Sequence, residues 1–273
     1  MMKPIVSFLG HIQNQATSLT GSIRDETTRH RTNNSLSTLD NACLTKQLQI
    51  GDILFIRISS KPFREISVVT HSWTNHVGIV LATAGNDPLI GESRFPFSGF
   101  TSLSRFIARS QQRRLAVARL TTPIRLEQQQ QLRAAAARRS NVLYDTGFNL
   151  HSRRQFCSRY VREVIYEATG TTIGNIESFA ELYTRAPRSA LLFWKIWFFG
   201  CIPWNRQTVS PASLMQSQHV RLLFDGFISD SDPHSLKKWN HTSGFDDKRE
   251  QQFLPKRAYR DTHKADDHAS NKQ

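Results

Sequence analysis

QFCSRYVREVIYEATG, residues 155–170, decides how the rest of the chain is read. Within it Cys157, Tyr160, Val161, Val164, Ile165 and Ala168 stand at i, i+3, i+4, i+7, i+8 and i+11. That spacing is one face of an α-helix, and Gly170 is the residue type that ends a helix in a left-handed turn. The helix therefore opens on a cysteine. A helix N-terminus carries free N–H groups and about +0.5 of an elementary charge. Both favour a thiolate over a thiol of ordinary pKa ~8.5. Arg153, Arg154 and Arg159 are expected to push the same way. The bland alternative is a packed core thiol, which is what most cysteines on an apolar helix face are.

A nucleophile needs a base. Upstream, LQIGDILFIRI (48–58) reads as a buried strand entered through Gly51-Asp52, and FREISVV (63–69) as a short helix. HVGIVLAT (76–83) and PLIGES (88–93) read as two strands joined by the turn AGND, which is a hairpin. The hairpin places His76 at the head of one strand and Glu92 near the end of the other, so the two side chains can approach. Glu92 accepting from one imidazole nitrogen while the other faces Cys157 is the logic of a catalytic triad. His71 with His76 and Glu92 offers a metal site one ligand short of the usual set, so no metal or cofactor is expected. His151 reads as an exposed loop residue and Cys201 as a packed small hydrophobe. Without a further argument, His76 and Glu92 could equally be a structural histidine and a solvated acid.

Beyond the hairpin, 103–108 reads as a short helix, RLAVARL (114–120) as a strand and LEQQQQLRAAAARR (126–139) as an exposed helix. Residues 140–155 read as a loop, 176–184 as a helix, SPASLM (210–215) as another, and VRLLF (220–224) as a late strand. The packed domain is expected over 47–228. Residues 1–46 (polar, without apolar period) and 229–273 (mixed charge) read as disordered tails. Only 38% of the 273 residues are hydrophobic, which fits a core flanked by such tails.

Net charge is +14. From Arg105 to Arg162 there are thirteen Arg and no Lys against Glu127 and Asp145, a local +11. This reads either as a solvated face or as a field attracting an anionic partner such as a phosphate headgroup. No zinc-finger, RNP-like or helix-turn-helix pattern accompanies it, which argues against specific nucleic-acid binding. Three scattered cysteines make no disulfide framework, and MMKPIVSFLGHIQNQATS does not read as an export signal. A cytoplasmic protein, peripheral to the inner membrane face at most, is the expectation. SALLFWKIWFFGCIPW (189–204) is too short and too interrupted to span a bilayer. It reads as a core helix or, on its aromatic content, as a membrane-interface or acyl-chain-binding element.

GDILF, SWTNHVGIVL, LIGES, YDTGF, QFCSRYVREVIYEA and FWKIWFFGCIPWNRQTVSPASL together resemble the YebB-like and YiiX-like families. These form a permuted branch of the NlpC-type papain-like superfamily. The resemblance covers about residues 48–215. It implies an α+β, circularly permuted papain-like fold, with a small antiparallel sheet packed on the nucleophile helix and the chain order His, acid, Cys. Carried over by position, it makes His76 the base, Glu92 the orienting acid and Cys157 the nucleophile. Tyr144, thirteen residues before Cys157, becomes an oxyanion donor beside the Cys157 N–H, although the Gly-Gly usual after that tyrosine is Thr146-Gly147 here. The implied activity is a cysteine hydrolase or acyltransferase working through a thioester, on a cell-wall peptide, a lipid-like or another small acyl substrate. The competing class is a non-catalytic module binding an anionic ligand or membrane surface on the same fold. Oligomeric state is not legible.

Overall fold

The computed structural model describes residues 37–186 and 191–229. In chain order these form β1 (Ser37–Asp40), α1 (Asn41–Gln47), β2 (Ile53–Ile56), α2 (Lys61–Val69), β3 (His76–Ala82), β4 (Leu89–Ser93), β5 (Ser98–Ser102), α3 (Leu103–Ala108) and β6 (Arg114–Leu120). There follow α4 (Leu126–Arg138), α5 (Cys157–Thr169), β7 (Ile176–Ser178), α6 (Phe179–Arg185), α7 (Leu191–Trp197), β8 (Gln207–Val209), α8 (Pro211–Met215) and β9 (Val220–Ser229).

Seven strands make one sheet in the order β1-β9-β6-β2-β3-β4-β5, and β7 pairs with β8 in a separate ribbon. Every pairing in the large sheet is antiparallel except β1 with β9. The fold is α+β, as the resemblance implied. β2 and β3 are buried along their whole length, which explains why they read as unbroken apolar runs rather than as alternation. On one side of the sheet, Phe55, Val77 and Ile79 pack with Tyr160, Val161, Val164 and Ile165 of α5. On the other, Leu54, Val80 and Ile90 pack with Phe106 of α3 and with Leu44 and Leu48. The apolar face of α5 read from its periodicity is the buried face, and Gly170 closes the helix at φ 73°.

Several local readings are corrected. Residues 37–46, expected as tail, form β1 and most of α1. β1 pairs with β9, Asp40 caps the helix by accepting from the N–H of Ala42, and Leu44 is buried. The pattern is hard to see because only one residue in the helix faces the core. The remaining tail segments, 1–36 and 230–273, lie outside the described residues. α4 is not a free surface helix. Leu132, Ala135 and Ala136 are fully buried against the α5 layer, and alanine carries too little hydropathy to mark such a face. Residues 176–178 are strand, and helix begins at Phe179, where Ser178 and Glu181 form a reciprocal cap. β5 was not anticipated, and β9 runs to Ser229.

If residues 37–47 belong to the folded domain, Leu44→Ala should cost about 2–4 kcal/mol of stability. Urea denaturation measures this, and a change within about 0.5 kcal/mol, usual at exposed positions, would return the segment to the tail.

Candidate active site

The site forms where two neighbouring strands part. β3 stays paired with β2 to its first residue (Ile56↔His76), and β4 stays paired with β5 to its last (Ser93↔Ser98). Between β3 and β4, however, the ladder ends at Ile79↔Gly91. Beyond that pair the strands face a gap, and the side chains of His76 and Glu92 meet across it. Nε2 of His76 lies 2.6 Å from Oε2 of Glu92, with both side chains wholly buried. Phe63 and Phe106 hold the imidazole by edge and tilted contacts, with centroids 6.0 and 5.8 Å away. Arg109, just past the end of α3, donates from Nη2 to the other carboxylate oxygen at 2.6 Å, and Arg94 stands 3.7 Å from it.

Cys157 enters the same gap from α5. The N–H of Val80 bonds to Asp52 across β2, and strand alternation turns the N–H of Val77 the opposite way, to the side that β4 has left. That N–H stands near enough to the Cys157 sulfur to help lower its pKa. Tyr144 comes from the stretch read as loop. Its N–H bonds to Pro96 O at 2.8 Å, the next N–H, of Asp145, to Gln155 O at 2.7 Å, and its ring is braced edge-on by Phe148. Asp145 shapes the following turn by accepting from the N–H groups of Gly147 and Asn149. A Cβ at position 147 would meet Nη1 of Arg206 at 2.9 Å and Oδ1 of Asp145 at 3.1 Å, so the glycine of Thr146-Gly147 leaves room for that guanidinium.

The electrostatics follow from burial opposed by neighbours. Burial alone would raise the Cys157 thiol, but His76, the Val77 N–H and the Tyr144 hydroxyl outweigh it and hold the thiol below its ordinary pKa. Burial would lower His76, yet Cys157 and Glu92 raise it from 6.5 to about 8. Burial would raise Glu92, but His76 and Arg109 bring it down. Tyr144 is pushed well above its usual value by burial and by Cys157, so it stays protonated. Two buried polar atoms here have no hydrogen-bond partner, Nδ1 of His76 and the hydroxyl of Tyr144. They belong to the two side chains that act on the thiol. A reacting group placed at Cys157 is what they are free to meet.

The structure thus brings together all four residues singled out in the sequence. The three arginines are not among the largest causes of the thiol shift. Arg159 instead bonds Glu163 and the carbonyls of Ser152 and Arg154. Arg109 and Arg94 were missed. No spacing links them to Glu92, and only the fold does. His151 is exposed, as expected, and bonds Gln207, whereas Cys201 is exposed rather than packed. Of the thirteen arginines in the basic stretch, nine have side-chain bonds to acids or carbonyls among the described residues. Much of the stretch is thus tied into the protein's own hydrogen bonding.

The aromatic segment divides. Its first two residues lie outside the described set. Trp194 is buried, and Trp197 donates to Thr146 O at 2.9 Å. Leu192, Ile196 and Phe199 point to solvent, Phe199 at 97% exposure. Beside this segment is a cleft with Cys157 and Tyr144 on its wall. Among the described residues no helix is long and apolar enough to cross a membrane.

A family model described as a permuted papain-like amidase enzyme, YaeF/YiiX, C92 family, matches residues 47–224. The chain is 29% identical to the uncharacterised YiiX protein of Escherichia coli K12 over 174 residues, covering 64% of this chain and 85% of that protein. A crystal structure described as metalloprotein YiiX from Escherichia coli O157:H7 superposes with a TM-score of 0.61 at 27% identity, covering 66% of this chain and 99% of that one. Among the described residues, no three His, Cys, Asp or Glu converge as a metal would need. The donor set does not fit a resident metal, and no chemistry is routed through one here.

These shifts predict selective alkylation. At pH 6 a thiol of pKa ~8.5 is well under 1% ionised, so iodoacetamide should modify Cys157, through the cleft, faster than the exposed Cys43 and Cys201. His76→Ala should remove that preference. Peptide mass spectrometry reads the result, and equal rates at all three cysteines would contradict an activated thiolate.

Proposed function

Because the chain belongs to the permuted papain-like amidase family, we propose that it is a cysteine amidase using Cys157, His76, Glu92 and Tyr144. The observation that carries this reading is the pairing of a pKa-lowered cysteine at a helix N-terminus with a histidine whose second nitrogen is fixed by a buried carboxylate. The Cys157 thiolate attacks the substrate carbonyl carbon and an S–C bond forms. Negative charge moves to the carbonyl oxygen, where the Tyr144 hydroxyl and the N–H of Cys157 donate to it. The His76 imidazolium gives its proton to the departing nitrogen as the C–N bond breaks, leaving a thioester. Neutral His76 then takes a proton from water, whose oxygen attacks the thioester, and returns it to sulfur as the S–C bond breaks. Glu92 holds the imidazole in position throughout, and Arg109 keeps Glu92 ionised. Transfer to a second nucleophile would use the same thioester, but hydrolysis needs only water. A purely binding role gives no reason for a buried His–Glu pair aimed at a depressed thiol.

The outward face of α7 suggests where the enzyme works. Leu192, Ile196 and Phe199 are exposed beside Lys195, and Lys61 lies 5.7 Å from the Phe193 ring. Apolar side chains interspersed with amines suit the surface of an anionic bilayer, next to the mouth of the cleft. We place the protein there as a peripheral partner of that surface.

Two measurements test these readings. With acyl p-nitroanilides, Cys157→Ala should abolish turnover and Tyr144→Phe should lower kcat about 100-fold or more. The wild-type rate should fall as pH rises through about 8, because His76 then loses the proton that the leaving group needs. Turnover surviving in Cys157→Ala would end the mechanism. Separately, co-sedimentation with phosphatidylserine vesicles should be salt-sensitive and be lost in Phe199→Asp. If the wild type stays in the supernatant at low salt, the surface has another purpose.

A further inference from the structure

The Tyr144 hydroxyl is free to meet a reacting carbonyl because no bond ties it down. Its position is therefore set by the backbone turn that carries the ring. The near side of that turn is fixed by the bonds of Tyr144 and Asp145 to Pro96 O and Gln155 O. Within the turn, Asp145 accepts from the N–H groups of Gly147 and Asn149, which sets a shape. The far side is held by the segment from Trp197 to Gln207. Trp197, the last residue of α7, donates from Nε1 to Thr146 O at 2.9 Å. Arg206 donates from Nη1 to Gly147 O at 2.9 Å, and the N–H of Leu150 donates to Gln207 O at 2.9 Å. Two successive carbonyls just after Tyr144 are thus each gripped by a side chain from outside the turn. Both donors are anchored in their turn. Trp197 stacks on Phe193 with ring centroids 5.7 Å apart, and the Arg206 guanidinium lies 5.5 Å from the Phe198 centroid.

Phe148 shows what this grip opposes. Its φ is 50°, in the left-handed region that bulky side chains seldom occupy and keep only where their surroundings enforce it. In that conformation its ring stands edge-on to Tyr144 at 6.5 Å and to Phe156, the residue before Cys157, at 6.0 Å. Relaxed to an ordinary φ, the ring would leave Tyr144 unbraced. The bonds to Thr146 O and Gly147 O lie immediately before Phe148 and resist that relaxation. Resting on the cysteine amidase reading, we infer that Trp197 and Arg206 are positioning residues for the oxyanion. By holding the turn 145–150 in place, they keep the Tyr144 hydroxyl where negative charge develops on the substrate carbonyl. Neither touches the reacting atoms. A donor to that charge is effective only while it stays within hydrogen-bond distance of it, so a loosened brace is read in kcat.

The test asks whether both residues act through Tyr144. On acyl p-nitroanilides, Trp197→Phe in the full chain removes the N–H and keeps a ring against Phe193. It should lower kcat about tenfold with KM within about twofold of wild type, the pattern of an interaction made only in the transition state. Arg206→Met, which removes the donors and keeps an unbranched stem beside Phe198, should do the same, and it serves if the tryptophan variant melts early. In a Tyr144→Phe background neither substitution should lower kcat further, because the donor that they position is gone. A second readout needs no turnover. The pH midpoint for alkylation of Cys157 by iodoacetamide should rise in Tyr144→Phe, since that hydroxyl helps to hold the thiol down. It should rise also in Trp197→Phe, and no further when the two are combined. Unchanged kcat and midpoint in both brace variants, or equal losses with and without the Tyr144 hydroxyl, overturn the positioning role and leave the hydrolase standing. A wild type that cleaves no anilide, with midpoints that shift and do not add, keeps the positioning role and overturns the amidase. An inactive wild type whose midpoint none of the three substitutions moves overturns both.

Discussion

The hydrogen bond between His76 and Glu92 orders this molecule. It is 2.6 Å long, wholly out of water, and lies where β3 and β4 cease to pair. A buried carboxylate without compensation would be protonated or would destabilise the fold. Here the imidazole takes one oxygen and Arg109 the other. The same gap that admits the pair frees the Val77 N–H for sulfur and lets α5 deliver Cys157 by its first residue. Gly91 belongs to this arrangement. A Cβ there would sit 2.7 Å from the Tyr160 hydroxyl of α5 and 2.7 Å from Leu81, so α5 could not approach the sheet closely enough with a larger residue.

The parts of the fold that were legible in the sequence are those with strong local signals. β2 and β3 are nearly continuous apolar runs, and α5 has six core residues at helical spacing. His76 and Glu92 could be placed near each other because a hairpin joins them. Cys157 could be placed with them only through the family resemblance, since no spacing relates residues 65 apart on different elements. What escaped was what burial decides without hydropathy. The face of α4 is made of alanines, α1 contributes one leucine, and Arg109 reaches Glu92 through tertiary geometry alone.

The arginine-rich stretch has a role inside the fold that composition alone does not show. A local excess of +11 suggests a surface waiting for an anion. In the folded chain many of these guanidinium groups act inside the protein. Arg119 bonds both oxygens of buried Asp52, Arg139 joins α4 to Glu163 and Glu167 of α5, and Arg162 reaches the carbonyl of Gly174. Several donors on one planar group suit this stitching of elements in a way that lysine would not.

The parallel pairing of β1 with β9 has a consequence for the order of folding. Ser37 pairs with Gly226 and Asp40 with Ser229, so these partners lie about as far apart in sequence as the described chain allows. Contacts this distant close large loops and form slowly. During synthesis β1 emerges first and must wait, its edge unpaired, until β9 has left the ribosome and docked between it and β6. Strands β2 to β6, helix α5 and the loop before it, which hold His76, Glu92, Cys157 and Tyr144, are complete by residue 169. That half of the sheet can therefore assemble on the nascent chain before the strands at its other edge are joined.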